Sequence, residues 1–186
     1  MGVIGTGKIG QRVCAIAHSF GMNVIASDAN PNDVVAKWGV QYVPLETLMA
    51  QSDIVTLHIP SLPTTYHMIN AAMISLMKPT AYLINTSRGE IVDSQALVEA
   101  LQHNVIAGAG LDVLEGERDL VIDESQDTEE QKSLRTRNRT LLDMPQVIVT
   151  PHIGFNTREA KSEIIQCTIS NINAFSNGTP TNCIPV

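Results

Sequence analysis

Aromatic residues make up only 4% of the 186-residue sequence, and there are only three cysteines. Cys14, Cys167 and Cys183 are odd in number, widely separated and outside any CxxC, which argues against a disulfide scaffold and a thiolate zinc site. No metal is expected, and a reduced, cytoplasmic setting fits best. No apolar stretch approaches the ~18 residues of a membrane span, and no basic-then-apolar signal pattern opens the chain. Basic residues are also scarce: twelve Lys and Arg face nineteen Asp and Glu, a net charge of −7. That balance argues against nucleic acid or an anionic membrane as the main partner. With 44% hydrophobic and 17% charged residues the chain is no disordered segment, and its length suits one ordinary domain.

Short apolar runs alternate with helical patterns along the chain. Gly2-Val3-Ile4 reads as a strand, and Ile9, Val13, Ile16, Ala17 and Phe20 then form one expected helix face, stopped by Gly21. Further strands are expected at residues 23–27, 41–43, 53–59, 81–85, 105–109 and 146–150. Asp93 is a plausible N-cap for a helix burying Leu97, Val98 and Leu101. Ile164, Ile165, Ile169, Ile172 and Phe175 mark a long amphipathic helix ending near Gly178. Continuously apolar strands separated by helices predict an α/β fold, a doubly wound parallel sheet of about seven strands with right-handed crossovers. Residues 1–178 are the expected domain and 179–186 a tail. The acidic run over residues 115–130 is expected as a solvated loop with a polar helix. Since few residues precede Gly5, the chain reads as starting inside its first strand, with upstream sequence removed.

Gly5-Thr6-Gly7-Lys8-Ile9-Gly10 is a G-x-G-x-x-G between a strand and a helix. Gly5 permits the tight turn, Gly7 lets backbone approach a pyrophosphate, and Gly10 lets helix and strand pack closely. Free N–H groups at the helix start would hold the phosphates. Asp28 ends the next strand at about the expected spacing of ~20 residues, where it would accept hydrogen bonds from an adenine ribose and repel a 2′-phosphate. NAD is therefore expected over NADP.

In a doubly wound sheet, ligands bind beyond the carboxyl ends of the strands. His58, Ile59 and Pro60 end one strand, Thr86-Ser87-Arg88-Gly89 follow another, Asp112 to Glu117 the next, and Pro151-His152 the last. A guanidinium at position 88 could hold a carboxylate by two parallel hydrogen bonds. An imidazole at 152 could exchange a proton, and a carboxylate beside it would stabilise its charged form and fix its tautomer. Spacing alone does not choose between Glu115 and Glu117 for that carboxylate. His58 is expected to line the adenine side, while His18, His67 and His103 carry no chemistry in this reading.

With GTGKIG, LHIPSLPTTYHMIN, LINTSRGEIVD, GLDVLEGE and TPHIGFNT in order, the chain resembles the NAD-binding domain of the D-isomer-specific 2-hydroxyacid dehydrogenases, closest to the D-lactate dehydrogenase branch. The resemblance implies Arg88 as the carboxylate anchor, His152 as the acid/base and Glu117 as its partner. It also implies Asp112, Thr86 and Ser87 around the nicotinamide and backbone of Lys8 and Ile9 at the pyrophosphate. Ile59, Pro60 and Thr65 would then lie toward the adenosine. A small 2-oxo or 2-hydroxy acid, D-lactate and pyruvate first, is the implied substrate and a homodimer the implied assembly. Departures are the polar stretch between Glu117 and His152 and the absence of the family's separate N-terminal substrate domain. An NAD-sensing, corepressor-like dimer of the same fold is the alternative; the joint presence of Arg88, Glu117 and His152 favours the enzyme. The chain alone is expected to bind NAD with negligible turnover.

Overall fold

The computed structural model describes residues 1–117 and 127–183. Arg118, Asp119, Asp123 and Glu124 of the acidic run lie outside the described residues, as do the last three residues of the tail. The described chain divides into two units, Met1–Pro151 and His152–Val186.

In the first unit, strands β1 (Gly2–Ile4), β2 (Ile25–Ser27), β3 (Gln41–Tyr42), β4 (Ile54–Leu57), β5 (Tyr82–Asn85), β6 (Gly108–Leu111) and β7 (Val147–Val149) form one sheet. Its order is β3-β2-β1-β4-β5-β6-β7, and every paired neighbour is parallel. The order reverses between β1 and β4, the position at which such sheets open a ligand crevice. Helices α1 (Lys8–Ser19), α2 (Asp33–Lys37), α3 (Leu45–Gln51), α4 (Ala71–Ser75), α5 (Ser94–Gln102) and α6 (Glu129–Asp143) make the connections.

Alternation along β1 divides the core. Val3 joins Cys14, Ala17, Ala26 and Val35 in one buried cluster, whereas Ile4 joins Leu48, Leu57, Leu83, Leu97 and Leu141 in the other. Successive strand residues point to opposite sheet faces, so the clusters lie on opposite sides. Each fully buried leucine or isoleucine contributes about 1.5–3 kcal/mol relative to an exposed one. Asp93 caps α5 as expected, its Oδ1 accepting from the backbone N–H of Gln95 at 3.0 Å and Ala96 at 3.1 Å. Leu97, Val98 and Leu101 are buried as expected.

Two expectations are corrected. The buried face of α1 is Gly10, Cys14 and Ala17; of the expected stripe, Ala17 is buried and Val13 packs against the same cluster, whereas the larger members face out. Ile9, Ile16 and Phe20 are 67%, 57% and 80% exposed. The buried residues are small, which lets the helix approach the sheet closely. Burial holds the Cys14 thiol up at about 11, so it stays protonated at neutral pH. The sixth strand begins at Gly108 rather than Val105. Val105 and Ile106 instead pack against the apolar core, and ladder pairing with β5 starts where Gly108 meets Tyr82.

The second unit contains α7 (Arg158–Ser176), capped by Thr157, whose side chain accepts from the Ala160 N–H at 3.1 Å. Its apolar residues Ile164, Ile165, Ile169, Ile172 and Phe175 are exposed. The tail folds back on this helix: Thr179 N–H donates to the Ala174 carbonyl, and Asn182 Nδ2 donates to Asn171 Oδ1 at 2.8 Å. Among the described residues no helix is long and apolar enough to cross a membrane.

Candidate functional site

Parallel pairing carries Gly5, Asp28, Ile59, Thr86 and Asp112 to one edge of the sheet, since each follows the carboxyl end of its strand. Two cavities open there. One, of about 340 Å³, is lined by Asp28, Ile59, Pro60, Leu62 and Thr65 among others. The other, of about 610 Å³, is lined by Ile9, His58, Pro60, Thr86, Ser87 and Arg88 with Ser61 and Glu90. Pro60 is common to both.

The glycine loop between the two is shaped by close approach. Gly5 has a φ of +89°, and a Cβ there would stand 2.6 Å from the His58 carbonyl oxygen. A Cβ on Gly10 would collide with the Gly5 carbonyl oxygen. Gly7 differs: a Cβ there would meet nothing within 4 Å, so the space in front of it is open. Gly7 is also the N-cap of α1 without any side-chain cap, so the first amides of a twelve-residue helix remain available to an anion. An open cradle at an uncapped helix start fits a pyrophosphate. Lys8 and Ile9 form the exposed first turn.

Asp28 is held from the glycine loop. Its Oδ2 accepts from the Thr6 N–H at 2.5 Å and from the Thr6 hydroxyl at 2.9 Å, and its Oδ1 accepts from the Asn30 N–H at 2.8 Å. Burial pulls the carboxyl upward, but these hydrogen bonds outweigh it and hold Asp28 below the ordinary carboxylate value. It is ionised at neutral pH. The Tyr42 hydroxyl donates to Thr6 Oγ1 at 2.9 Å and accepts from the Asn32 N–H at 2.8 Å, which completes the chain. Thr6 and Tyr42 escaped the sequence reading: one is a variable position of the motif, the other lies 36 residues away. Thr65 is buried and internally bonded, accepting from Leu62 N–H at 2.8 Å and donating to the Pro60 carbonyl at 2.7 Å.

Around the larger cavity, the Thr86–Arg88 turn is stapled by Asn85, which is 1% exposed. Asn85 Oδ1 accepts from the Ser87 N–H and hydroxyl, and its Nδ2 donates to the Arg88 carbonyl at 2.8 Å. Arg88 itself is exposed and donates to the Ser87 carbonyl at 2.6 Å. A buried Asn closing an otherwise apolar strand was the missed signal. His58 lines this cavity with Arg88 rather than the one with Asp28. Its Nε2 lies 3.0 Å from Thr56 Oγ1, and burial pushes the imidazole below its ordinary value, toward the neutral form.

Gly89 lies directly against the Leu114 backbone, where any Cβ would collide, so the Arg88 turn and the 114–117 turn are neighbours. The two acids of that turn separate here. Glu115 Oε1 bonds His67 Nε2 at 2.6 Å, and its Oε2 accepts from both the backbone N–H and hydroxyl of Ser94. Glu117 Oε2 accepts from the Leu114 N–H at 3.1 Å. His67 therefore has a specific structural partner. Asp112 is buried, with Oδ1 accepting from the Thr150 hydroxyl at 2.5 Å and its N–H donating to the Asn85 carbonyl. His152 opens the second unit, with φ of +50° and its ring edge-on to Phe155 at 6.2 Å. Among the described residues no group of three His, Cys, Asp or Glu is placed to hold a metal.

The family model of the D-isomer specific 2-hydroxyacid dehydrogenase NAD binding domain matches residues 1–154. The D-lactate dehydrogenase of Escherichia coli is 40% identical over 177 residues, covering 95% of this chain and 53% of the relative. A glyoxylate reductase of Thermococcus litoralis is 39% identical over 186 residues, 99% of this chain and 51% of that one. Among solved structures, D-lactate dehydrogenase from Aquifex aeolicus complexed with NAD and lactic acid superposes with a TM-score of 0.88 at 39% identity, over 96% of this chain and 53% of that one. The chain thus spans about half the length of the relatives it matches. The seven-stranded parallel sheet, the glycine loop and these matches agree: the chain belongs to the D-isomer specific 2-hydroxyacid dehydrogenase family and corresponds to its NAD-binding domain.

Proposed function

We propose that this chain is the cofactor half of a two-domain oxidoreductase that interconverts small D-2-hydroxy acids and 2-oxo acids, with D-lactate and pyruvate as the first pair to test. One observation carries the reading: a guanidinium-lined cavity and an aspartate-lined cavity meet at Pro60, across the glycine loop, where the strand order reverses. When bound, the dinucleotide supplies or takes up a hydride. Asp28 selects the unphosphorylated ribose, and the Gly7 cradle and the first amides of α1 hold the pyrophosphate. Ile59, Pro60 and Thr65 shape the adenosine side, while Thr86, Ser87 and Asp112 border the nicotinamide side.

Arg88 orients the oxo acid through its carboxylate by a bidentate pair. Protonated His152 donates to the carbonyl oxygen as it becomes a hydroxyl, and neutral His152 takes that proton back in the reverse direction. Glu117 balances the charged imidazole. The experiment is steady-state reduction of pyruvate, glyoxylate and hydroxypyruvate by the two-domain protein, with this chain alone as control. Turnover by the whole and NAD binding without turnover by the chain are expected. A whole protein that binds NAD yet reduces none of the three would point instead to a cofactor-sensing module.

The exposed Ile9, Ile16 and Phe20 face of α1 further supports a homodimer through this domain. Sedimentation should return twice the chain mass, and a monomer would remove that part of the proposal. Cytoplasmic residence rests on three cysteines that are free rather than paired; a disulfide in the native protein would count against it.

A further inference from the structure

His67 adopts a left-handed backbone, φ +47°, which a non-glycine residue holds only where its surroundings impose it. Its N–H donates to the Glu90 carbonyl at 2.9 Å, its ring stacks on Tyr66 at 4.0 Å, and its Nε2 reaches Glu115 at 2.6 Å. Glu115, with a side chain only 10% exposed, is bound on its other oxygen by Ser94 at the start of α5. Its carbonyl accepts from Asn138 Nδ2 of α6 at 3.0 Å. Three elements thus converge on one residue: the β4–α4 loop, α5 and α6. Among the described residues, Glu130, Asp93 and Arg137 also act electrostatically on Tyr66. Two residues beyond Glu115, across Gly116 at φ +66°, stands Glu117.

We propose that His67 is a positioning residue for the dehydrogenase reaction: by holding Glu115 it fixes the 114–117 turn and thereby the place of the Glu117 carboxylate. The proposal rests on the reading above that Glu117 supports His152. His67 touches neither substrate nor cofactor in this account. It acts through a carboxylate that is buried, and a buried carboxylate oxygen left without its donor is costly enough to shift its own turn. Gly89, packed on Leu114, would transmit any such rearrangement toward the Arg88 turn.

The test is kinetic, on the two-domain protein reducing pyruvate with NADH across the neutral pH range. His67→Ala should lower kcat by about tenfold, the scale of a modest misplacement, with the KM for NADH little changed. It should also move the alkaline midpoint of kcat to lower pH, in the direction that Glu117→Gln moves it, because weaker support for the imidazolium lets His152 lose its proton sooner. His67→Gln, whose amide can still donate to Glu115, should recover most of both. In the Glu117→Gln background, His67→Ala should add nothing further. If His67→Ala fails to fold, Ser94→Ala, which takes the hydroxyl donor from Glu115 and leaves the backbone N–H, should show the same changes in milder form.

An unchanged midpoint, or a loss that adds in full to that of Glu117→Gln, would overturn the clamp, since a merely structural residue would behave that way. Glu117→Gln with undiminished turnover would overturn the underlying reading and the clamp with it. An impaired Glu117→Gln beside unaffected His67→Ala and Ser94→Ala overturns the clamp alone.

Discussion

In the two-domain enzyme, His152→Ala is expected to lower turnover by about 10²-fold or more, the usual contribution of a placed acid/base. Reducing a 2-oxo acid leaves charge on the former carbonyl oxygen, and a proton must arrive as that charge develops. Imidazole is the side chain that carries a proton readily near neutral pH. His152 directly follows the segment in which Thr150 is tied to Asp112, so Pro151 alone separates it from that bond. With alanine there, water must act instead. NADH affinity should remain within about twofold, because the residue is assigned to proton transfer rather than ground-state binding. His152→Asn, of similar shape but without a transferable proton near neutrality, should be as impaired. Undiminished turnover in the alanine variant refutes the role.

Gly10→Ala should weaken NADH binding to this chain strongly and lower its stability. The new methyl would collide with the Gly5 carbonyl oxygen, which is backbone and has no rotamer to yield. Gly5 itself lies close to the His58 carbonyl and the Ile59 side chain, which leaves its loop little room to shift. Helix α1 must therefore withdraw, carrying its first amides away from the cradle. Overpacking of this kind costs about 1–3 kcal/mol of stability, and NADH should bind about 10²-fold more weakly, a change of ~2.7 kcal/mol. Gly7→Ala separates folding from binding. Its methyl meets no protein atom within 4 Å, so Tm should hold while the methyl occupies the phosphate space. A Gly7→Ala chain that binds NADH normally would show that the cradle is not the phosphate site.

The parts of the molecule written locally in the sequence were legible. Strands buried on both faces, the Asp93 cap and the spacing from Gly10 to Asp28 each involve near neighbours along the chain, and each has a counterpart in the structure. The face of α1 was legible in part: Ala17 is buried and Val13 packs on the core as expected, but Ile9, Ile16 and Phe20 are exposed. Size rather than hydrophobicity selects the buried residues, since Gly10, Cys14 and Ala17 are small enough to let the helix approach. Val105 and Ile106 looked like strand because they are apolar and branched, yet the ladder begins at Gly108. What stayed hidden depends on contacts between distant residues. Tyr42 reaches Thr6 across 36 positions, and His67 reaches Glu115 across 48, so no spacing rule marks either pair. Glu115 is engaged by His67 and Ser94, a contact that the two-residue spacing of Glu115 and Glu117 does not reveal.

The most direct measurement is a titration of this chain with NADH and with NADPH, followed by nicotinamide fluorescence. Saturable NADH binding is predicted, with NADPH at least about tenfold weaker because its 2′-phosphate would meet the ionised Asp28. Asp28→Ala should narrow that gap. Equal affinity for the two dinucleotides, or no saturable binding of NADH, would contradict the account.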